Sequence, residues 1–221
     1  MFVGHLAVAL AARRASPPTP LAALVAATFA LDLLWPVLLL AGVERVRIAP
    51  GTTAFTPLDF EHYPWSHSLS MAVIWGVVAG RLAVIPLKHA GSGLAIGLVV
   101  VSHWLLDVLA HRPDLPLWPG GPRMGFGLWQ SIPGTLLVEG ALFAAAVVIY
   151  ARGTRARRAS GVWAFWSLML CTTAIWIAGP WGPPPPGEGA VAGVALALWL
   201  LVVWAAWIDR TREDTPRDGS P

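Results

Sequence analysis

The sequence predicts an all-α fold: a polytopic membrane helix bundle of about six transmembrane helices, preceded by a short N-terminal helix that is re-entrant or interfacial. Three observations predict it. Of 221 residues, 56% are hydrophobic and 12% charged, about half the charged share of a soluble domain. The apolar residues gather in stretches of membrane-spanning length. The basic residues sort to alternate connections.

The first apolar stretch, 1–12, is about 18 Å long as a helix. That is too short for a bilayer core of about 30 Å, hence the re-entrant or interfacial reading. Pro17, Pro18 and Pro20 then break the chain. Stretches 21–43, 68–87, 92–110, 133–151, 161–179 and 190–208 are each long enough to span. Pro183 to Pro186 form a stiff connector before the last of them. If the spans alternate, Arg13, Arg14, Arg81, Lys88, Arg152, Arg155, Arg157, Arg158, Arg210, Arg212 and Arg217 fall on one side. Only Arg45, Arg47, Arg112 and Arg123 fall on the other. The richer side is cytoplasmic, so both termini are predicted to be inside. Residues 1–209 read as a single integral membrane domain and 210–221 as a short disordered cytoplasmic tail.

Several classes are disfavoured. The basic residues sit in short loops beside apolar segments, where they orient spans, so no nucleic-acid partner is expected. Cys171 is the single cysteine, which leaves no disulfide framework and no cysteine metal motif. The N-terminus has no positive region ahead of its apolar stretch and is not a standard signal peptide. No complete phosphate-loop or dinucleotide motif is present. The 13 Trp read as interface anchors.

The chemistry lies in polar residues that a lipid-embedded chain should avoid. His103 and Asp107 stand inside a span, four residues apart and so on one helix face. Asp32, by helical rise, lies roughly 16 Å from the inner end of its span, and His103 roughly 17 Å from the inner end of its own. Glu139 is at comparable depth on the following outer-to-inner span. His62 and His67 flank Pro64, in a turn entering a span, and such a turn can fold two imidazoles towards one point. His5 reaches roughly 12 Å in if its helix dips from the inner side. His111 and Asp114 read as loop residues, and His89 falls in an inner loop away from the rest. Groups of this kind persist in lipid when paired, hydrated or metal-bound, and imidazole with carboxylate suits zinc and related divalent ions.

The motifs that carry these residues resemble those of the YdjM-like membrane-bound metal-dependent hydrolases of bacteria. Members of that family have Gly-His near the N-terminus, then Pro-Asp-x-Asp, His-Arg-Gly-x-Thr-His-Ser, and His-x-x-x-Asp with a Pro-rich turn. Here the corresponding residues are Gly4-His5, Leu31-Asp32-Leu33-Leu34, His62 to Ser68, and His103 to Asp107 followed by Leu115 to Pro119. The resemblance covers residues 1–120; Leu34 stands where the family has its second Asp. It implies metal-dependent hydrolysis of a lipid-like or membrane-associated ester or phosphoester, one or two zinc or other divalent ions, and a bacterial inner-membrane location. His5, Asp32, His62, His67, His103 and Asp107 are the expected ligands, with Glu139 or Asp32 as general base. The bilayer itself is the expected partner, and oligomeric state is unread. Two other classes fit the same residues: a proton- or ion-coupled transporter using a relay of intramembrane acids and histidines, and a non-catalytic scaffold whose polar pairs only lock helices.

Overall fold

A computed structural model describes residues 1–216. The predicted tail is thus seen only in part, its residues 217–221 lying outside the described ones. The architecture is all-α. Its helices are α1 Phe2–Ala15, α2 Leu21–Thr28, α3 Ala30–Leu40, α4 Pro64–His67, α5 Leu69–Leu87, α6 Ala90–Ala110, α7 Ile132–Gly153, α8 Ala159–Ala178, α9 Glu188–Leu196 and α10 Trp199–Thr211. Among the described residues, five segments are long and apolar enough to cross a membrane, or six if the bent pair α2–α3 is one span.

Short antiparallel ribbons join them: β1 Arg45–Ile48 with β2 Leu58–His62, β3 Leu115–Pro116 with β4 Arg123–Met124, and β5 Thr154–Ala156 with β6 Arg212–Asp214. The first part of the expected disordered tail is therefore ordered, 210–211 as the end of α10 and 212–214 as strand. Arg155 and Arg157, on β5 or just beyond it, pair with Glu213 on β6, and the Arg212 guanidinium stacks 4.9 Å over Phe165.

The N-terminal helix is not interfacial. Val3, Leu6 and Leu10 are fully buried, and α1 packs against α7, α2 and α6. An interfacial helix needs one polar face, whereas α1 is apolar nearly all round until Arg13, the pattern of a helix enclosed by others.

Stretch 21–43 is not one straight span either. It breaks after Thr28, and α2 and α3 meet at 50°. The break leaves the Thr28 carbonyl without its helical donor, and His103 Nδ1 takes it at 2.7 Å. The Thr28 hydroxyl donates to the His5 carbonyl at 2.8 Å. Further along, Pro36 has no N–H for the Asp32 carbonyl, loosening α3 around Asp32 as well. Irregular backbone at this depth is tolerated where protein covers it. At the far end of α2 its first N–H groups, on Leu21 and Ala22, donate to the Asp209 carboxylate at 2.9 Å each.

Helices α5 and α6 form a close hairpin. A Cβ on Gly80 would stand 2.6 Å from the Gly93 carbonyl, and one on Gly76 2.8 Å from that of Gly97. Small residues at this seam let the two backbones touch, as in other membrane helix pairs.

Candidate metal centre

Five side chains from four helices converge inside the bundle. They are His5 of α1, Asp32 of α3, His67 at the end of α4, and His103 and Asp107 of α6. They form two overlapping groups, His5–His103–Asp107 and Asp32–His67–His103, in each of which the potential ligand atoms lie within 4.8 Å of one another. Buried His and Asp groups at this spacing could hold a metal ion. All are buried except Asp32, whose side chain is 28% exposed and marks the open side.

Each is placed by a local cause. The four-residue spacing on α6 puts His103 and Asp107 on one face, with His103 Nε2 3.0 Å from Asp107 Oδ2. Tyr63 and Pro64 end β2 and start the short α4, which turns His67 inward until its Nε2 is 3.3 Å from Asp32 Oδ1. Ser68 then caps α5 by accepting the Met71 N–H. His103 Nε2 is 3.7 Å from Asp32 Oδ1, and His67 Nε2 is 4.0 Å from Asp107 Oδ2. His5 lies on the other carboxylate oxygen of Asp107, at 3.0 Å, and its ring stacks on His103 with centroids 3.8 Å apart. The Met1 α-amino nitrogen is 2.5 Å from the same oxygen.

The tautomers follow from the partners. A carbonyl can only accept, so His103 Nδ1 carries the proton donated to Thr28. The Ser66 hydroxyl donates to Glu44 Oε2 at 2.6 Å. Its oxygen is then the acceptor for His67 Nδ1 at 2.7 Å. Where these rings are neutral, the remaining nitrogen, Nε2, is a lone pair, and it lies 3.0 Å from Asp107 in His103 and 3.3 Å from Asp32 in His67, the latter a hydrogen bond once Nε2 is protonated. Two acceptors at that distance repel unless a cation or a proton sits with them. Among the described residues, His103 Nε2 accordingly makes no hydrogen bond of good geometry despite its short contact, and His5 Nδ1 makes none either.

The remaining expected residues go elsewhere. His62 is exposed on β2 opposite Arg45. Strand alternation points it away from buried Tyr63, so the two histidines of that motif do not converge. Glu139 is buried behind α1, where Oε2 accepts the Gly4 N–H at 3.4 Å and Oε1 has no hydrogen-bond partner among the described residues. His89 caps α6 by accepting the Ser92 N–H.

His111 and Asp114 are buried, not free loop residues. His111 Nδ1 and the Tyr63 hydroxyl donate to Asp114 Oδ1 at 2.9 and 3.0 Å, and Arg112 Nε donates to Oδ2 at 3.0 Å. Arg112 and Arg47 both pair with Asp59, tying the β1–β2 loop to the end of α6. Sequence reasoning missed Glu44, and it offered Ser66 only as an alternative to Ser68 for the cap of the following helix, a place Ser68 takes. Only the adjacency of Ser66 to His67 hinted at its contact with that ring.

Comparison of the chain with family models, with curated proteins and with solved structures gave no match.

Proposed function

We propose that the protein is a membrane-embedded metal-dependent hydrolase of lipid-like or membrane-associated esters or phosphoesters, with a zinc or other divalent ion held by His67, His103, Asp32 and Asp107. The observation that supports this most is the pair of Nε2 atoms set 3.0 and 3.3 Å from carboxylates, which in neutral rings are lone pairs. A cation shared by all four groups turns two repulsive contacts into coordination. Zinc bonds of about 2.0–2.1 Å place the donors of a tetrahedron roughly 3.3 Å apart. The four nitrogen–oxygen separations among the six donor pairs measure 3.0, 3.3, 3.7 and 4.0 Å. His103 has one lone pair and belongs to both groups, which favours one ion over two. His5, on the far oxygen of Asp107, then orients that carboxylate.

Such an ion polarises a scissile carbonyl or phosphoryl oxygen and makes water easier to deprotonate. Asp32, the most exposed of the five, is the group an arriving water or substrate meets first and the better placed general base. Glu139 holds α1 by its Gly4 contact. The motif resemblance supplies the reaction class, and with it the bacterial inner membrane; the arginine bias supplies cytoplasmic termini.

Protonated imidazoles would relieve the same contacts, and this is the observation that favours a proton-carrier reading. A carrier needs its path continued, yet on α6 only Ser92 offers a polar side chain between Ala90 and Val101. The test is metal content of detergent-purified protein, followed by chelator-sensitive cleavage of lipid esters and phosphoesters in mixed micelles. Stoichiometric metal, lost in His67→Ala and His103→Ala, is expected. Metal-free protein that conducts protons in liposomes, and stops on Asp107→Asn, would overturn the hydrolase.

A further inference from the structure

We propose that Glu44 and Ser66 act as positioning residues that fix the tautomer of His67, so that its Nε2 lone pair is delivered to the site. The proposal rests on the metal-site reading for its purpose but not for its test.

Glu44 lies in the loop after α3, between two exposed residues, yet is itself 1% exposed. Burying a carboxylate is costly unless it is fully hydrogen-bonded. Glu44 is: Oε1 accepts the backbone N–H groups of Trp65 and Ser66 at 2.8 Å each, and Oε2 accepts the Ser66 hydroxyl at 2.6 Å. The two backbone donors belong to the single turn of α4, whose first N–H groups have no partner within the helix. That accounts for a carboxylate, but not for the serine between it and the histidine.

Direction explains the serine. An ionised carboxylate only accepts, so the Ser66 proton must point to Glu44. The Ser66 oxygen is left as an acceptor, and the 2.7 Å neighbour His67 Nδ1 must supply a proton. In a neutral ring the proton on Nδ1 leaves Nε2 bare, 3.3 Å from Asp32, free for an ion or a second proton. The chain from Glu44 through Ser66 to His67 thus has one polarity, set by the charge at its far end. The Tyr63 carbonyl is a weaker alternative for the hydroxyl, at 3.5 Å. His103 obtains the same tautomer from the Thr28 carbonyl, so both imidazoles reach the site by different devices with the same result. Partners of this kind, one bond removed from the ion, typically matter about 10–100-fold in metal affinity.

Glu44→Gln is the decisive variant because it reverses that polarity at constant shape. The amide oxygen of the new side chain is needed by the two backbone N–H groups, so its NH2 faces Ser66 and donates. The hydroxyl then donates to His67 Nδ1, and the proton of His67 moves to Nε2. The experiment is 15N NMR of histidine-labelled full-length protein in detergent without added metal, in alkaline buffer that keeps the ring neutral, with His67 assigned by its loss in His67→Ala. The Nδ1–H form is expected in the native chain and the Nε2–H form in Glu44→Gln. Ser66→Ala, which cuts the chain without reversing it, should give a mixture, and this variant controls for a folding defect in the first. The same tautomer in all three proteins would overturn the proposal. Zinc titration then follows, with about 10–100-fold weaker binding expected in Glu44→Gln. A native chain that takes up no zinc sinks the metal-site reading and leaves the tautomer result standing by itself.

Discussion

Two clusters of the same residue types lie close together in this molecule, and they are built on opposite principles. In the loop cluster of Tyr63, His111, Arg112, Asp114 and Asp59, each charged or polar group meets a complementary one. In the central cluster of His5, Asp32, His67, His103 and Asp107, two ring nitrogens, His5 Nδ1 and His103 Nε2, lack hydrogen-bond partners among the described residues although His103 Nε2 lies 3.0 Å from a carboxylate. Leaving a buried polar group unmet costs about 1–3 kcal/mol. A fold that satisfies one cluster and leaves the other open at similar burial has separated structure from site. Burial of His and Asp is therefore a poor guide to function by itself. Unmatched hydrogen-bonding capacity is the better one.

The sharpest way to break the comparison is to remove one histidine from each cluster. His103→Ala should abolish stoichiometric metal binding while the protein stays monodisperse. His111→Ala should keep its metal and lose thermal stability. Metal analysis beside thermal unfolding checks both, and the contrast collapses if His111→Ala also loses its ion. Next in size is Asp32→Asn, which keeps shape but removes one anionic donor. Metal affinity should fall without loss of fold, as read by competition with a chromophoric chelator. Asp114→Asn should cost about 1–3 kcal/mol of stability, since its donors lose a charged acceptor, with metal content unchanged.

Acid should loosen the loop cluster. Burial alone would raise the Asp114 carboxyl, but hydrogen bonds from His111, Arg112 and Tyr63 outweigh it and hold it below the usual range. A carboxyl depressed on folding stabilises fully above its unfolded value of about 3.9, and that stabilisation is lost as pH falls through the folded value. Pepsin cleavage between 111 and 131 should therefore rise below about pH 4 in the native chain. In Asp114→Asn it should be raised already and show a weaker pH dependence. The smallest effect is expected for His62→Ala. Its exposed position on β2 predicts unaltered metal content and unaltered melting, so a loss of metal there would redraw the site.

Much of this was legible in the sequence, because hydropathy is a local property. The spans at 68–87, 92–110, 133–151 and 161–179 each match a helix within two residues or so. The cost of charge in lipid also singled out His103, Asp107 and Asp32, and the structure brings them together. What escaped were properties of contact. The break at Thr28 joins two equally apolar halves, so no periodicity marks it; a histidine 75 residues away takes the freed carbonyl. Glu44 reads as a loop acid next to Arg45, and only its neighbours 21 and 22 residues on reveal why it is buried. His62 misled because matching spacing was read as convergence, whereas strand pairing with Arg45 turns it outward.

The α5–α6 glycine seam has a consequence for how the molecule is put together. That close hairpin, with α4 ahead of it, carries His67, His103 and Asp107. The α1–α2–α3 segment carries His5 and Asp32. Neither half owns a complete donor set, and the His103–Thr28 and His67–Asp32 contacts cross the boundary between them. Docking one helical unit on the other is thus the same event as assembling the site. An ion bound there would act as a clasp between the two segments, and its binding energy would be part of the energy that holds the bundle closed.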